Sequence, residues 1–519
     1  MNLKNPDMNR YLLTLKLIIT GVISSQIISL VHVYISNTQY FYKLSAIRKA
    51  GYLVVPNLIV MEKLKSIGPA FFGAFFFTFT VGTCLTILSL SAAWTWDRIF
   101  SRHNIFFIPI ALFWSGCLVL LNINGFSPMA SIQFIFVPFA VFSASIIWFS
   151  KTPENKNLEN KTPENKNRPF KARIIIHFIC IAALAFMGTS RMNSSTFSLI
   201  RDNFLLSNKA GISLNNFYYT YTLYAAQVFK SLNQDMLRTC RISSPGGLPV
   251  SRALKRTLIN YDYLVINTDD YCDLELEYSK NAIKMSHKGK EIINTTEQEF
   301  LKNPGKMLKS FSQKCDHNVF FRQFTFISLL LVSGLFCYLV LYMLFKLMVS
   351  IVLGKYLKGF SGFMVTIICC LITGAAVFYF WHPEKPKIFK KENLARALKS
   401  ENADTRIAAL KFISARKIDI GKIGIPPQMP ASPIILERYW LAKALYSAGS
   451  PESFEINLAL LEDPQINVSY IAFNSLGQKK SKDSVREILK QIKILEQWYV
   501  QLYAYKSLRR LNWRQTGLQ

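Results

Sequence analysis

Seven long apolar stretches constrain this chain more than any other feature of its sequence. Each is about as long as the roughly 20 helical residues that cross the 30 Å hydrocarbon core of a bilayer. A chain that is 51% hydrophobic and still carries a formal net charge of +30 fits apolar spans joined by basic loops. The predicted spans lie near residues 11–34, 68–96, 104–121, 126–150, 173–190, 324–346 and 361–381. The sequence therefore predicts a mainly α-helical, multi-pass membrane protein with about seven spans.

A charged repeat between the fourth and fifth spans indicates which side of the membrane each loop occupies. Residues 151–167 read KTPENKNLENKTPENKN, in which the same heptapeptide occurs twice. The loop 151–173 holds seven Lys and Arg residues, and the positive-inside rule places such a loop in the cytoplasm. Alternation from that point predicts a cytoplasmic N-terminus. It also puts residues 191–323 and 382–519 outside the cytoplasm, in a protein of the plasma (inner) membrane.

The segment between the first two spans opposes this arrangement. Residues 35–66 would lie on the outer side, where the rule expects few basic residues. Five lie there: Lys43, Arg48, Lys49, Lys63 and Lys65. The stretch 173–190 is also one of the two shortest of the seven. Because an odd number of spans puts the two termini on opposite sides, the loss of this span would move the C-terminal segment across the membrane.

The segment 191–323 predicts a compact extracytoplasmic insert of the α+β class. Three stretches alternate as half-buried strands do, YDYLVIN, CDLELEYS and AIKMSHKGKEIIN, with a hairpin turn at Lys288-Gly289. A helix is expected over about 296–314, interrupted at residues 303–305. Upstream, the aromatic run from Phe217 to Phe229 forms either the core of this domain or a helix in the headgroup region.

Acidic and cysteine residues of the insert suggest two further features. The stretch NTDDYCDLELE lacks the spacing and the glycine of an EF-hand calcium loop. Strand alternation instead predicts a solvated face that carries Asp273, Glu275 and Glu277. Three cysteines lie in the same segment, and on an oxidising side we expect one disulfide among them. They are Cys240, Cys272 and Cys315, and their spacing leaves the pairing open.

An internal repeat occupies the tail, residues 382–519. Four segments superimpose: RIAALKFI from Arg406, RYWLAKAL from Arg438, SYIAFNSL from Ser469 and QLYAYKSL from Gln501. Their starts are 32, 31 and 32 residues apart. The third and seventh positions after each start fall on one stripe of a helix. These stripe residues are Ala409, Ile413, Leu441, Leu445, Ala472, Leu476, Ala504 and Leu508.

The repeat resembles the HEAT-like family of α-solenoids over about residues 389–513. The basic residue that opens the second helix of a unit is present as Arg406 and Arg438, and is replaced by Ser469 and Gln501. The unit is also shorter than the roughly 40–47 residues usual for HEAT repeats. The resemblance implies stacked helix pairs with an extended binding surface for a protein or peptide. A plain helical bundle is the alternative.

The sequence offers no catalytic constellation, metal-ligand pattern or cofactor motif. No Asp or Glu lies in the middle of a predicted span, and His177 is the one titratable residue deep within one. His287 and His317 are 30 residues apart without a ligand-spaced partner. The serines of FWSGC and GFSPM lack the glycine pattern of a nucleophile elbow. We therefore expect a protein that is not an enzyme and has no cofactor and no metal site.

The expected function is that of a multi-pass membrane scaffold or assembly protein that recruits a protein partner through the tail. No stretch joins dense Lys and Arg to a nucleic-acid-binding motif, so membrane lipids rather than RNA or DNA are the expected counterpart of the basic charge. A transporter or channel subunit, gated by its soluble parts, is the alternative. Pro109, Pro128 and Pro138, which can kink spans three and four, keep it open. The predicted regions are 1–190 (spans one to five), 191–323 (insert), 324–381 (spans six and seven) and 382–519 (repeat domain).

Overall fold

The structure is a computed structural model, and it describes most of the chain. The described residues are 6–98, 100, 102–151, 168–189, 194–245, 249–267, 272–279, 282–353, 356, 359–380, 388–479 and 481–516. Most of the duplicated charged loop lies outside them, as do Asp269 and Asp270 of the acidic stretch.

Helices dominate the membrane part and also occur in the insert. They are α1 (Pro6–Lys49), α2 (Leu58–Lys63), α3 (Ile67–Phe77), α4 (Thr83–Arg98), α5 (Phe107–Asn122), α6 (Pro128–Lys151), α7 (Arg168–Thr189), α8 (Ser194–Ile200), α9 (Lys209–Ala226), α10 (Arg252–Asn260), α11 (Glu297–Lys302), α12 (Pro304–Lys314), α13 (Val319–Leu353) and α14 (Phe360–Phe380). A π-helical turn, Thr78–Gly82, joins α3 to α4, and a second one, Arg201–Leu205, follows α8.

Six helical segments among the described residues are long and apolar enough to cross a membrane. They are Thr14–Lys49, Ile67–Asp97, Asn104–Asn122, Pro128–Trp148, Val319–Leu353 and Phe360–Val377. Each coincides with a predicted span. The predicted span 173–190 falls on α7, whose apolar part, Ile175–Gly188, is shorter than the other six segments. The chain is thus mainly helical and compatible with a membrane protein, and six of the seven predicted spans have such a helix.

The candidate spans pack in two groups. In the first, α1 packs against α3, α4 and α6, and α13 contacts α4, α5 and the π-helical turn Thr78–Gly82. The second half of α13 packs against α7 and α14, through a cluster that includes Tyr338, Phe363 and Cys370. Close approach within the first group requires a glycine, because a Cβ on Gly82 would lie 1.9 Å from the Ser25 hydroxyl.

The insert contains a five-stranded mixed sheet in the order β2-β1-β3-β4-β5. Its strands are β1 (Arg238–Ser243), β2 (Tyr263–Val265), β3 (Leu274–Tyr278), β4 (Ile283–His287) and β5 (Lys290–Thr295). The first strand pairs in parallel with β2 and β3, and α10 forms the crossover that a parallel β1–β2 pair needs. The other pairs are antiparallel.

The predicted strands, hairpin and helix break of the insert are confirmed. Lys288 and Gly289 form the turn between β4 and β5, with φ angles of 51° and 75°. The helix expected over 296–314 occurs as α11 and α12, which meet at Asn303. The first strand was not predicted, because RTCRIS alternates too little to stand out as a strand.

The aromatic run does not form the core of the sheet, and its position in the headgroup region stays a prediction. It forms α9, whose Tyr219 and Tyr224 pack with the tail and with the first membrane helices rather than with the core of the sheet. The Phe72 ring of α3 contacts Phe217 and Tyr221 at 5.9 and 4.8 Å between ring centroids. The helix α9 therefore lies between a candidate span and the tail.

The tail consists of short helices that pack one after another. They are α15 (Lys391–Leu398), α16 (Ala403–Arg416), α17 (Ile435–Ala444), α18 (Pro451–Leu461), α19 (Ile466–Leu476), α20 (Lys482–Gln491) and α21 (Trp498–Arg510). The four repeat segments lie on α16, α17, α19 and α21, which contact each other in that order. All eight stripe residues have side chains with 0% exposure: Ala409, Ile413, Leu441, Leu445, Ala472, Leu476, Ala504 and Leu508.

Hydrogen bonds also recur with the repeat. The Ser475 hydroxyl donates to the Ala442 carbonyl of the preceding unit at 2.5 Å, and the Ser507 hydroxyl donates to the Phe473 carbonyl at 2.8 Å. Both bonds join the same two positions of successive units.

The first residue of each repeat segment has a common role despite its changing identity. Arg406, Arg438, Ser469 and Gln501 each donate from the side chain to a backbone carbonyl that precedes the helix. Arg406 also pairs with the Glu437 carboxylate, and Arg438 pairs with the Asp463 carboxylate. Each carboxylate lies farther along the chain than its arginine. The loss of the basic residue in the later units therefore leaves the backbone contact in place.

Candidate functional site at the junction of tail, insert and first helix

The described residues contain no group of three or more His, Cys, Asp or Glu side chains that could hold a metal ion. The chemistry of the molecule is concentrated instead where the tail, the insert and α1 meet. Many charged and polar side chains are buried there. Each needs a partner, because burying an unpaired polar group is unfavourable. We call this region the junction.

A buried ion cluster joins α1 to the insert. Lys43 is 4% exposed, and its Nζ lies 2.8 Å from Asp235 Oδ2 and 2.7 Å from Asp273 Oδ2. Asp273 also accepts hydrogen bonds from the backbone N–H and the hydroxyl of Thr239. An unpaired charge at this depth would be strongly unfavourable, so the three groups stabilise one another.

The prediction that Asp273 lies on a solvated face is wrong. Asp273 precedes β3, and the chain bends there, so its carboxylate turns towards Lys43 instead of following the strand alternation. Glu275 and Glu277 do remain partly exposed. The two carboxylates also neutralise Lys43, which is one of the five basic residues of the segment 35–66.

The three cysteines of the insert lie near Asp273, whose charge acts on all of them. Cys240 lies on β1, Cys272 precedes β3, and Cys315 follows α12. None of the three forms a disulfide in the structure, and the disulfide among them stays a prediction. Burial raises the pKa of Cys240 well above its usual value and the pKa values of Cys272 and Cys315 to about 11. Such thiols are poor nucleophiles at neutral pH.

Two histidines that are distant in the sequence meet at the edge of the junction. The rings of His287 and His317 have centroids 6.4 Å apart. His287 Nδ1 lies 2.9 Å from the Asp273 carbonyl oxygen, and His317 Nδ1 contacts the Asn124 carbonyl between α5 and α6. Burial lowers the pKa of His287. The sequence does not predict this pair, because the two histidines are 30 residues apart.

His177, the histidine expected deep within a span, lies on α7 outside the junction. Its Nδ1 is 2.5 Å from the hydroxyl of Tyr338 on α13. A single histidine bonded to a neighbouring helix serves packing between helices.

The first two repeat units bind the π-helical turn after α8. Asp202, which is 4% exposed, lies 2.8 Å from Lys411 Nζ and accepts a hydrogen bond from the Trp440 indole at 3.2 Å. Arg201 pairs with Asp202 at 2.7 Å and donates to the Tyr439 hydroxyl at 2.8 Å. Because α16 and α17 supply these partners, the turn is fixed by two successive units.

The later units bind α9. Asn215 donates to Asn467 at 2.5 Å, and Gln465 donates to Asn216 at 2.9 Å. Beside these amides is a cluster of phenol rings, in which Tyr219 lies 4.5 Å from Tyr499 between centroids. Burial raises the pKa values of both tyrosines, so the cluster is neutral at physiological pH.

The last unit binds the segment that follows α1. The Asn57 side-chain amide donates to the carbonyls of Ile492, Lys493 and Leu495 at 3.1, 3.0 and 2.9 Å. The Asn57 backbone N–H donates to Gln501 Oε1 at 2.6 Å. Farther on, Gln515 forms two hydrogen bonds with the backbone of Leu53, at 2.8 and 3.0 Å.

The repeated helices of the tail thus bind residues of this same chain along their whole length. Neither a protein-family model, nor a curated protein, nor a solved structure matches the chain.

Proposed function

We propose that the chain is a multi-pass membrane scaffold or assembly protein, with a HEAT-like solenoid as its tail. The observation that supports this role is the junction, in which all four repeat units bind the insert, α9 or the segment after α1. Buried pairs such as Lys43 with Asp273 and Asn57 with Gln501 lock these parts into one body. A rigid body held on many membrane helices suits a protein that positions others.

Contacts between loops support the proposed topology. Asn57 binds the tail and Asn124 binds His317 of the insert, so the segments around both residues lie on the same side as the insert and the tail. From Asn124 to the insert the chain passes through α6 and α7. If α6 crosses the membrane, α7 must cross back for both ends to share a side. The 22 residues of α7 extend about 33 Å, enough for a crossing.

A crossing by α7 brings the number of proposed crossings to seven. It also implies that the loop 152–167 lies on the side of the membrane opposite the tail. Its basic charge then argues for a cytoplasmic loop and for an extracytoplasmic insert and tail.

The proposed partner surface is the outer row of the tail, α15, α18 and α20. The repeat helices α16, α17, α19 and α21 form the inner row, which already contacts the rest of this chain. The outer side of α20 and the turn after it carry four exposed basic residues at helical spacing: Lys482, Arg486, Lys490 and Lys493. A partner with an acidic surface would match them.

Co-purification of the full chain from mild detergent tests the proposal. A scaffold predicts a protein partner in near-stoichiometric amount, which is lost from the Arg486→Glu/Lys490→Glu variant. The matched control is Lys302→Glu/Lys309→Glu, which reverses two exposed charges of the insert and should retain the partner. No stoichiometric partner with the unmodified chain would contradict the scaffold role, and retention by the first variant would contradict the proposed surface.

A second candidate function, transport or channel activity, is favoured by polar groups among the spans. Gln133 of α6 donates to Ser25 and Ser29 of α1, both at 3.2 Å. Asn37 of α1 is fully buried, and neither atom of its amide has a hydrogen-bond partner among the described residues. Polar groups at membrane depth often mark solute pathways, and π-helical turns such as Thr78–Gly82 often mark functional sites.

The same purified chain separates the two candidates. Solute flux in proteoliposomes that Gln133→Leu abolishes would support transport. A scaffold predicts that Gln133→Leu has no effect on partner co-purification, since Gln133 lies on α6 and bonds to α1 rather than to the tail.

A further inference from the structure

A cleft of about 580 Å³ opens between the insert and the tail. This volume lies within the range of sites for small molecules. The cleft is lined by Arg238, Asn260, Tyr261 and Asp262 of the insert and by Arg509 and Arg514 of the tail. The two sides meet at Asp262, whose Oδ1 accepts a hydrogen bond from the Tyr505 hydroxyl at 2.7 Å.

Positive charge is in excess in this cleft, since three guanidinium groups and one carboxylate line it. Arg509 forms an ion pair with this carboxylate, and its Nε lies 3.1 Å from Asp262 Oδ2. In the part of the chain that the structure describes, Arg238 and Arg514 form no ion pair and bind backbone carbonyls instead. Two cationic groups of the lining thus have no anionic partner of their own.

The cationic groups are held close together. Arg238 donates to the carbonyls of Leu232, Tyr261 and Asn233 at 2.6, 3.0 and 3.0 Å, which fixes its side chain at the cleft. Partial burial and the nearby charge of Arg509 lower the pKa of Arg514. A bound anion would relieve this repulsion at no cost in reorganisation, because the guanidinium groups are already in place.

We propose that this cleft binds a small water-soluble oxyanion, a phosphorylated or carboxylated solute, between Arg238, Arg509 and Arg514. Planar guanidinium groups present paired N–H donors that match the oxygen atoms of phosphate and carboxylate groups. The remaining lining supplies polar contacts from Asn260 and Tyr261. The proposal stands on the cleft alone and does not depend on the scaffold role.

The position of the cleft favours a dissolved ligand over a lipid headgroup. Arg514 precedes Gln515, which binds Leu53 just beyond the end of α1. The last exposed aliphatic side chain of α1 is Ile35, and the helix extends about 21 Å from there to Lys49. A cleft at that height is beyond the headgroups when α1 stands near the membrane normal.

Binding would strengthen the contact between insert and tail, because the ligand would touch residues of both. A ligand that binds the folded chain raises its stability in proportion to the logarithm of ligand concentration above the Kd. Thermal melting of the full chain in detergent, at constant ionic strength, therefore reports binding.

The first experiment titrates inorganic phosphate against chloride. The expected result is a saturable rise of a few degrees in Tm with phosphate and none with chloride. Arg514→Gln should weaken the apparent affinity for phosphate about tenfold or more, because it removes a positive charge. The substitution removes few contacts between the Arg514 side chain and the local backbone. Arg510→Gln is the matched control, next to Arg509 at the end of α21 but outside the cleft lining, and should keep the phosphate response.

Equal responses to phosphate and chloride, or an unchanged phosphate response in Arg514→Gln, would overturn the proposal. Should Arg514→Gln fail to fold, Arg514→Lys keeps the charge but loses the paired donors, and calorimetric titration with phosphate should then show weaker binding. Vesicles containing phosphatidylglycerol distinguish the source of the anion. A Tm rise with these vesicles in the absence of phosphate would assign the cleft to a lipid and overturn the assignment to a dissolved ligand.

Discussion

The ammonium of Lys43, in the helix α1 that contains the first candidate span, lies 2.7 Å from the carboxylate of Asp273, in the sheet domain. Asp235 completes the cluster at 2.8 Å, and the side chains of both aspartates are 16% exposed. The contact ties the extended end of α1 to the insert. Any motion of the insert relative to this helix must break it.

Replacing Lys43 should therefore destabilise the protein strongly. The Lys43→Met variant leaves two buried carboxylates without their cation, a change that costs about 3–5 kcal/mol. The measurement is the thermal melting of the full chain in detergent, followed by tryptophan fluorescence. Lys49→Met, an exposed residue on the same helix, is the matched control and should melt like the unmodified chain.

A rescue variant separates charge from packing. Lys43→Met combined with Asp235→Asn and Asp273→Asn removes the cluster as a whole and should recover part of the lost stability. A Lys43→Met variant that melts with the control would show that the three charges are not buried together.

Overpacking the stripe of the tail tests the repeat. Ala472 is fully buried where α19 meets its neighbours, and Ala472→Phe should cost about 1–3 kcal/mol or more. The tail should become sensitive to protease while the membrane helices stay inserted, because each unit depends mainly on its neighbours. Ala459→Phe makes the same substitution at an exposed position of α18. Equal protease resistance of the two variants would exclude stacked units.

Local patterns predicted the elements that local forces determine. The strands β3 and β4 follow from residue alternation, their hairpin turn from Lys288-Gly289, and the buried stripe from the repeat of about 32 residues. In each case the information lies within a few turns of helix or one hairpin. The same holds for six of the predicted spans.

The junction could not be predicted because its pairs are distant in the sequence. Lys43 and Asp235 are 192 residues apart, and Asn57 and Gln501 are 444 apart. Without the fold, Asp273 looked like one more carboxylate of a polar strand. The sequence does not predict the packing of α9 against the tail either, since an aromatic helix suits a lipid surface and a protein surface alike.

The stability of the folded chain should decrease as the pH is lowered below about 6.5, in part through His287. Burial lowers its pKa in the folded state, and Lys288 and His317 oppose its protonation further, although Asp273 favours it. The unfolded chain then binds more protons at this site than the folded chain, so stability rises with pH in this window. His287→Gln should reduce the difference in Tm between pH 5.5 and pH 7.5, whereas His103→Gln, at an exposed site, should not. An undiminished difference in His287→Gln would contradict this role.

One disulfide among Cys240, Cys272 and Cys315 is still expected if the insert faces an oxidising compartment. Thiol titration of the denatured, unreduced chain should then detect two thiols fewer than the nine cysteines of the sequence. The variants Cys240→Ser, Cys272→Ser and Cys315→Ser identify the pair. Replacing either member of the disulfide abolishes the difference between the number of cysteines and the number of reactive thiols. Nine reactive thiols would contradict the pairing or the assigned compartment.

We propose that the tail, the insert and the segment after α1 form one body on the side of the membrane opposite the loop 152–167. Single cysteines introduced at Ser66, Asn160 and Lys493 can be labelled in intact cells with an impermeant maleimide, against the background of the unmodified chain. The account predicts added labelling at positions 66 and 493 and none at 160 until the cells are lysed. Labelling of 160 together with 493 from the same side would contradict it.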